Sequence, residues 1–264
     1  GGDHLSSFSA TTAQQDPHHI EARPSLIAKA RSADLIFCTG AELEVGWLPL
    51  LLRQSGNSRI QADQQGYFMA ADQVEKIEVP VTIDRSMGDI HASGNPHIHL
   101  DPYRLLIIAE AFTQRLLALD PAHQQYYLES FEQFKQDWQR ALEKWQRMAS
   151  PLKGKKVVIQ HSNLNYMLDW LDLQVVSNIE PKPGIPPSSR HLASLLTTLK
   201  NDKPDLIVVA AYQHDKGARW LAGRLDVPVV KLPYTVGGDD SVNSLSLLFE
   251  RSIQLLLEGL NHGG

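Results

Sequence analysis

The chain has 264 residues, 42% of them hydrophobic and 21% charged, proportions of a globular protein that exclude disordered and fibrous classes. Its formal charge is −5, with Lys and Arg scattered rather than clustered, so nucleic acid is not an expected partner. No apolar run approaches the roughly 20 residues that cross a bilayer, and the single cysteine, Cys38, permits neither an intrachain disulfide nor a thiolate cluster.

The chain opens on Gly1-Gly2-Asp3 without a charged n-region or an apolar h-region, which fits a cytosolic protein or a mature, processed export product. Polar residues as far as Gln14-Gln15-Asp16 leave no buried run, so the first strand of the N-terminal lobe is expected to be absent. A helix is then predicted over 24–33, a strand over 34–39 with Cys38 as a small buried apolar residue, and a helix over 43–54. Another helix is predicted over 102–119, opened by Asp101-Pro102 as cap and first-turn proline. From Pro121 to about Ser150 there is no Gly and no internal Pro. Tyr127, Phe131, Phe134, Trp138, Leu142, Trp145 and Met148 recur there at three- and four-residue steps, which predicts one long helix with an apolar stripe, extending about 40 Å as a stiff strut. Its tryptophans read as packing residues, not as a binding platform.

The second half alternates strand-like runs (156–160, 173–179, 205–211, 227–232) with helical stretches (163–171, 188–200, 216–225 and about 242–260), the pattern of parallel βαβ units. The predicted fold class is therefore α/β: two lobes, each a small, mostly parallel sheet flanked by helices, bridged by one long rigid helix. The expected divisions are an N-terminal lobe over 1–120, the bridging helix over 121–150 and a C-terminal lobe over 151–264.

Eleven histidines is a high count, and position selects among them. His18 lies in Asp16-Pro17-His18-His19 and His97 in Asn95-Pro96-His97-Ile98-His99, each a Pro-His turn just ahead of a helix. His161 follows the predicted strand Val157-Val158-Ile159-Gln160, at the carboxyl edge where open α/β sheets place ligands. Asp239-Asp240 follows Thr235-Val236-Gly237-Gly238 on the same edge of the same lobe. Three neutral imidazoles and one carboxylate in a closed tetrahedral set suit zinc. Against this stands the plainer alternative that His18, His97 and His161 are loop residues or helix-cap partners that never meet.

At these residues the chain resembles the cluster A-I solute-binding proteins of zinc and manganese ABC importers, the TroA-like and ZnuA-like family. The resemblance runs from Asp16-Pro17-His18-His19-Ile20-Glu21 with Arg23-Pro24-Ser25, through Ala33-Asp34-Leu35-Ile36 with Gly40-Ala41-Glu42-Leu43-Glu44, to Asn95-Pro96-His97 with Leu100-Asp101-Pro102. It continues through the long helix, His161, Glu180-Pro181 and the Gly237-Gly238 loop. It implies two lobes on a bridging helix, one transported ion in the cleft, and delivery to an ABC permease in the inner membrane. A periplasmic metallochaperone is a further expected partner. The implied protein is a periplasmic monomer, with lipid anchoring left open, and it is not an enzyme.

Carried over by position, the ligands are His18, His97 and His161. Manganese members tend to have a carboxylate at the third position, so the imidazole of His161 favours zinc over manganese. The segment from Leu232 to Asp240 departs from the common family loop, leaving Asp239 and Asp240 both open as fourth ligand, with a slight preference for Asp240. The long His-rich loop of some zinc members is replaced by Asp84-Arg85-Ser86-Met87-Gly88-Asp89-Ile90-His91-Ala92-Ser93-Gly94. There His91 and Asp89 are candidates to hold an incoming ion or close over it, the alternative being a solvated loop with incidental polar residues. The proline-rich Glu180–Pro187 stretch reads as a stiff connection, with Lys182 or Glu180 available to a permease. Two rivals are carried: a zinc hydrolase, which lacks support from any HExxH helix, and a siderophore or corrinoid binder of the same architecture.

Overall fold

The computed structural model describes residues 2–82 and 91–262, which form two compact units: residues 2–79 with 91–140, and residues 80–82 with 141–262. In the first unit α1 (Pro24–Ser32) starts on its proline, whose missing N–H costs nothing in a first turn. It is followed by β1 (Ile36–Cys38), α2 (Leu48–Ser55) and β2 (Tyr67–Met69). The strands pair in parallel, Phe37 opposite Phe68, and make the whole sheet of this unit. Phe68 is buried between the rings of Phe37 and Phe112, and Cys38 is buried and free. A second core gathers Ile20, Leu26, Trp47, Leu51 and Ile60 where α1 packs on α2.

The helix expected over 43–54 is shorter than its apolar pattern. Residues 41–47 form consecutive turns, with backbone N–H bonds from Leu43 to Gly40, Val45 to Glu42 and Trp47 to Glu44. Gly46 and Pro49 delay the regular helix to Leu48, where Pro49 falls in the first turn and loses no hydrogen bond. Ala41 and Glu42 both hold positive φ, at 47° and 62°, a conformation costly for residues with a Cβ. The strand β2, absent from the sequence-based reading, is three residues long.

The helix α3 (Pro102–Leu119) is capped by Asp101, which accepts from the Tyr103 and Arg104 amides. A 3-10 turn at Pro121–His123 leads into α4 (Gln124–Ala149), whose 26 residues pass through position 140, where the first unit gives way to the second. Its predicted stripe is the packed face. Tyr127 and Trp138 are buried in the first unit, the Trp138 indole donating to the Pro102 carbonyl at 2.8 Å, while Trp145 lies on Phe249 in the second.

The second unit is built on β3 (Lys156–Ile159), α5 (Asn165–Trp170), β4 (Gln174–Asn178), α6 (Ser189–Leu199), β5 (Leu206–Ala210), α7 (Lys216–Leu225), β6 (Val229–Leu232) and α8 (Leu245–His262). All four strands are parallel, in the order β4-β3-β5-β6. Every residue of β5 is buried, as expected of a parallel strand covered on both faces. The last helix begins three residues later than predicted, because Val242 is held in a turn by its amide bond to the Asp239 carbonyl. The chain leaves β3 for β4 on one side and returns to β5 on the other, so the carboxyl end of β3 is the switch point of the sheet, where ligands of such folds bind. Among the described residues no helix is long and apolar enough to cross a membrane.

Candidate metal centre

The two Pro-His turns of the first unit share one construction. Asp16 Oδ1 accepts the His18 amide at 3.0 Å, and Asn95 Oδ1 accepts the His97 amide at 3.0 Å. In each, the side chain two residues before the histidine fixes its backbone and the intervening proline fixes φ. Trp47 Nε1 steadies the first turn by donating to the Pro17 carbonyl at 2.9 Å. The second is held by the Asn95 amide on the Ile77 carbonyl and by Asn95 Nδ2 donating to Glu78 Oε2 at 2.8 Å. Gly94 makes this approach possible: at φ 103° an added Cβ would lie 2.9 Å from the Ile77 carbonyl oxygen.

The turns differ at the ring. Asp16 Oδ1 also lies 2.7 Å from His18 Nδ1. Burial pushes the pKa of the Asp16 carboxyl up, but the bonds to the His18 ring and amide outweigh it and hold the group below its ordinary value. The His18 ring therefore turns its Nε2 away from its own loop. There it meets His91, Nε2 to Nε2 at 3.1 Å, while the His97 ring lies 5.6 Å from His18 and 6.4 Å from His91, centroid to centroid. His97 is almost wholly buried, whereas His19 is exposed. Among the described residues no three His, Cys, Asp or Glu side chains stand in an ion-holding arrangement as they lie, so this trio is gathered rather than closed. Asp89 lies outside the described residues.

In the second unit His161 stands just past β3, half-buried, with Nδ1 2.8 Å from Glu180 Oε2. Parallel register causes this contact. Ile159 pairs with Asn178 and the Glu180 amide bonds to the Gln160 carbonyl, so residues leaving the two strands emerge side by side. The same Glu180 oxygen accepts the Gly184 amide at 2.9 Å, and Gly184 takes φ 75° to present it. Glu180 thus serves His161 instead of standing out toward a permease. The signal for it was available in outline: a carboxylate directly after one strand, a histidine directly after the strand beside it.

Asp239 spends its carboxylate on its own turn. Oδ1 accepts the Ser241 amide at 2.9 Å and its hydroxyl at 2.5 Å, and Arg251 stands 3.8 Å from Oδ2. The Ser241 bonds, and then the Arg251 charge, hold its pKa below the ordinary carboxyl value. Asp240, next along, is exposed.

In each unit an imidazole is held at Nδ1 by a carboxylate. A carboxylate so placed can orient a histidine toward a metal, fixing its tautomer and raising its basicity. Residues 1–247 match the family described as ZnuA, zinc-uptake complex component A, periplasmic, and the chain belongs to it. It is 21% identical to the manganese ABC transporter substrate-binding lipoprotein PsaA of Streptococcus pneumoniae, over 98% of this chain and 83% of that protein. To the metal ABC transporter substrate-binding lipoprotein SloC of Streptococcus mutans it is 24% identical, over 84% of this chain and 71% of that protein. A zinc-bound deletion mutant of ZnuA has the same fold, with a TM-score of 0.78 at 20% identity, covering 98% of this chain and 91% of that one. A manganese-bound periplasmic metal-binding protein of Candidatus Liberibacter asiaticus aligns with a TM-score of 0.72 at 16% identity, covering 93% and 87%.

The chain is thus the substrate-binding component of a metal ABC transporter, which implies a membrane permease as partner and not an enzyme. The hydrolase and siderophore or corrinoid readings are set aside by that membership.

Proposed function

We propose that the chain captures zinc outside the cytoplasm and delivers it to its permease, with His18, His97 and His161 as its nitrogen donors. The observation that carries this is the pair of carboxylate-backed rings, Asp16 on His18 and Glu180 on His161. Zinc is favoured over manganese by the donor chemistry, since manganese prefers oxygen ligands and imidazole suits zinc. Of the two aspartates considered for a fourth position, Asp240 is the available one, because Asp239 is occupied by Ser241 and Arg251. Acid weakens binding, because a protonated imidazole cannot coordinate.

Metal-stripped protein offered equal zinc and manganese is expected to retain zinc, measured by elemental analysis after desalting, and the His18→Ala and His161→Ala variants are expected to lose it. Retention of manganese at parity would overturn the choice of ion. Full retention of zinc by both variants would overturn the site.

A further inference from the structure

The fourth position has a second claimant, inside the first unit. A tetrahedral ion with zinc–nitrogen bonds of about 2.0–2.1 Å sets its donor atoms about 3.3 Å apart and the centroids of its imidazoles about 5 Å apart. His18 Nε2 and His91 Nε2 are 3.1 Å apart and their ring centroids 5.2 Å, already close to one edge of such a tetrahedron. The His97 ring, at 5.6 and 6.4 Å from the other two, needs to approach by about 1 Å to complete a face.

His91 is placed there by construction. Two residues on, Ser93 is clamped to Glu42, its amide donating to Oε2 at 3.1 Å and its hydroxyl to Oε1 at 2.6 Å. Glu42 reaches Ser93 from a backbone in the left-handed region, φ 62°, beside Ala41 at 47°. Residues with a Cβ adopt that conformation at a cost, and its structural return here is the clamp. The Gly94 amide then closes a turn onto the His91 carbonyl at 3.1 Å.

We infer that His91 Nε2, rather than Asp240, supplies the fourth donor to the captured ion, so that the loaded shell is four imidazole nitrogens. This rests on the zinc-capture reading above and deepens it. Because His18 Nδ1 faces the Asp16 carboxylate and carries its proton there, His18 Nε2 is the acceptor between the two rings and His91 Nε2 the donor. On binding, that proton leaves His91 Nε2 and one is taken up at its Nδ1, so the ring stays neutral and presents its lone pair. A shell of four nitrogens discriminates against manganese more strongly than one containing a carboxylate.

Zinc affinity of the full chain, measured by competition with a chromophoric chelator, separates the possibilities. The His91→Ala and His91→Gln variants are expected to bind zinc at least about tenfold more weakly, the minimum expected when even an outer partner of a metal ligand is lost. Asp240→Ala is expected to bind as the parent does, and X-ray absorption of the zinc-loaded parent to show four imidazoles. His91→Asp is expected to shift preference toward manganese. Unchanged or tighter zinc binding by both His91 variants would show that the ring merely covers His18, and would overturn the inference while His18→Ala still loses zinc. If His18→Ala also keeps its zinc, the capture reading itself has failed.

Discussion

In the first unit the carboxylate that grips a histidine ring lies two residues away, inside the same turn; in the second it lies nineteen residues away, at the end of a neighbouring strand. Asp16 and His18 need little beyond a proline and the Trp47 indole to meet. Glu180 and His161 meet because β3 and β4 are adjacent, parallel and in register. One site is made by local chain chemistry and the other by a sheet. Damage to the sheet should therefore be felt at His161 and not at His18.

The largest expected effect comes from breaking that sheet. Ile207→Ala removes a fully buried side chain from β5, the central neighbour of β3, and is expected to lower unfolding free energy by about 2–5 kcal/mol, read from urea denaturation of metal-free protein. A cost under about 1 kcal/mol would show that the strand tolerates the cavity and that the register is set elsewhere. The next effect is at the carboxylates. Glu180→Gln is expected to weaken zinc binding by about 10- to 100-fold, the usual consequence of losing an outer partner. Asp16→Asn should lie at the low end of that range, about tenfold, because Asn95 demonstrates that an asparagine builds the same turn in this chain. Chelator competition on both variants tests the contrast, and equal losses would mean that the local turn gives His18 no protection.

The same contrast explains which parts were legible beforehand. The four strands of the second unit stand out because parallel strands covered on both faces read as apolar runs, and α4 because its stripe repeats over about six turns without a breaker. The strand β2 is three residues long, too short for any period to declare itself. For the site the order reverses. Asp16-Pro17-His18 and Asn95-Pro96-His97 are visible as turns in the sequence, since their partners are neighbours. The role of Glu180 is not, because strand adjacency must be known first. Nor is the clamp between Glu42 and Ser93, which depends on left-handed backbone at Ala41 and Glu42 that their side chains do not announce.

The smallest effect sharpens the comparison from within the first unit, at a carboxylate used for folding instead of metal. Glu44 is buried, with Oε1 accepting the Thr39 amide at 2.7 Å and Oε2 the Gly40 amide at 3.0 Å. Burial pushes its pKa up, and the amide bonds recover only part of the shift. The folded state therefore binds this proton more tightly than the unfolded state does. It follows that the contribution of Glu44 to stability is fully present below the unfolded value and declines as pH rises through the folded one. Glu44→Gln removes the titration but offers one carbonyl oxygen to two amides, at a cost of about 1 kcal/mol for the bond left unmade. Unfolding free energies of the metal-free parent and of this variant, measured from pH 4 to pH 7, should differ most at the acid end and converge toward neutrality. A difference that is constant across that range would mean that Glu44 stays ionised throughout, its two amide bonds outweighing its burial.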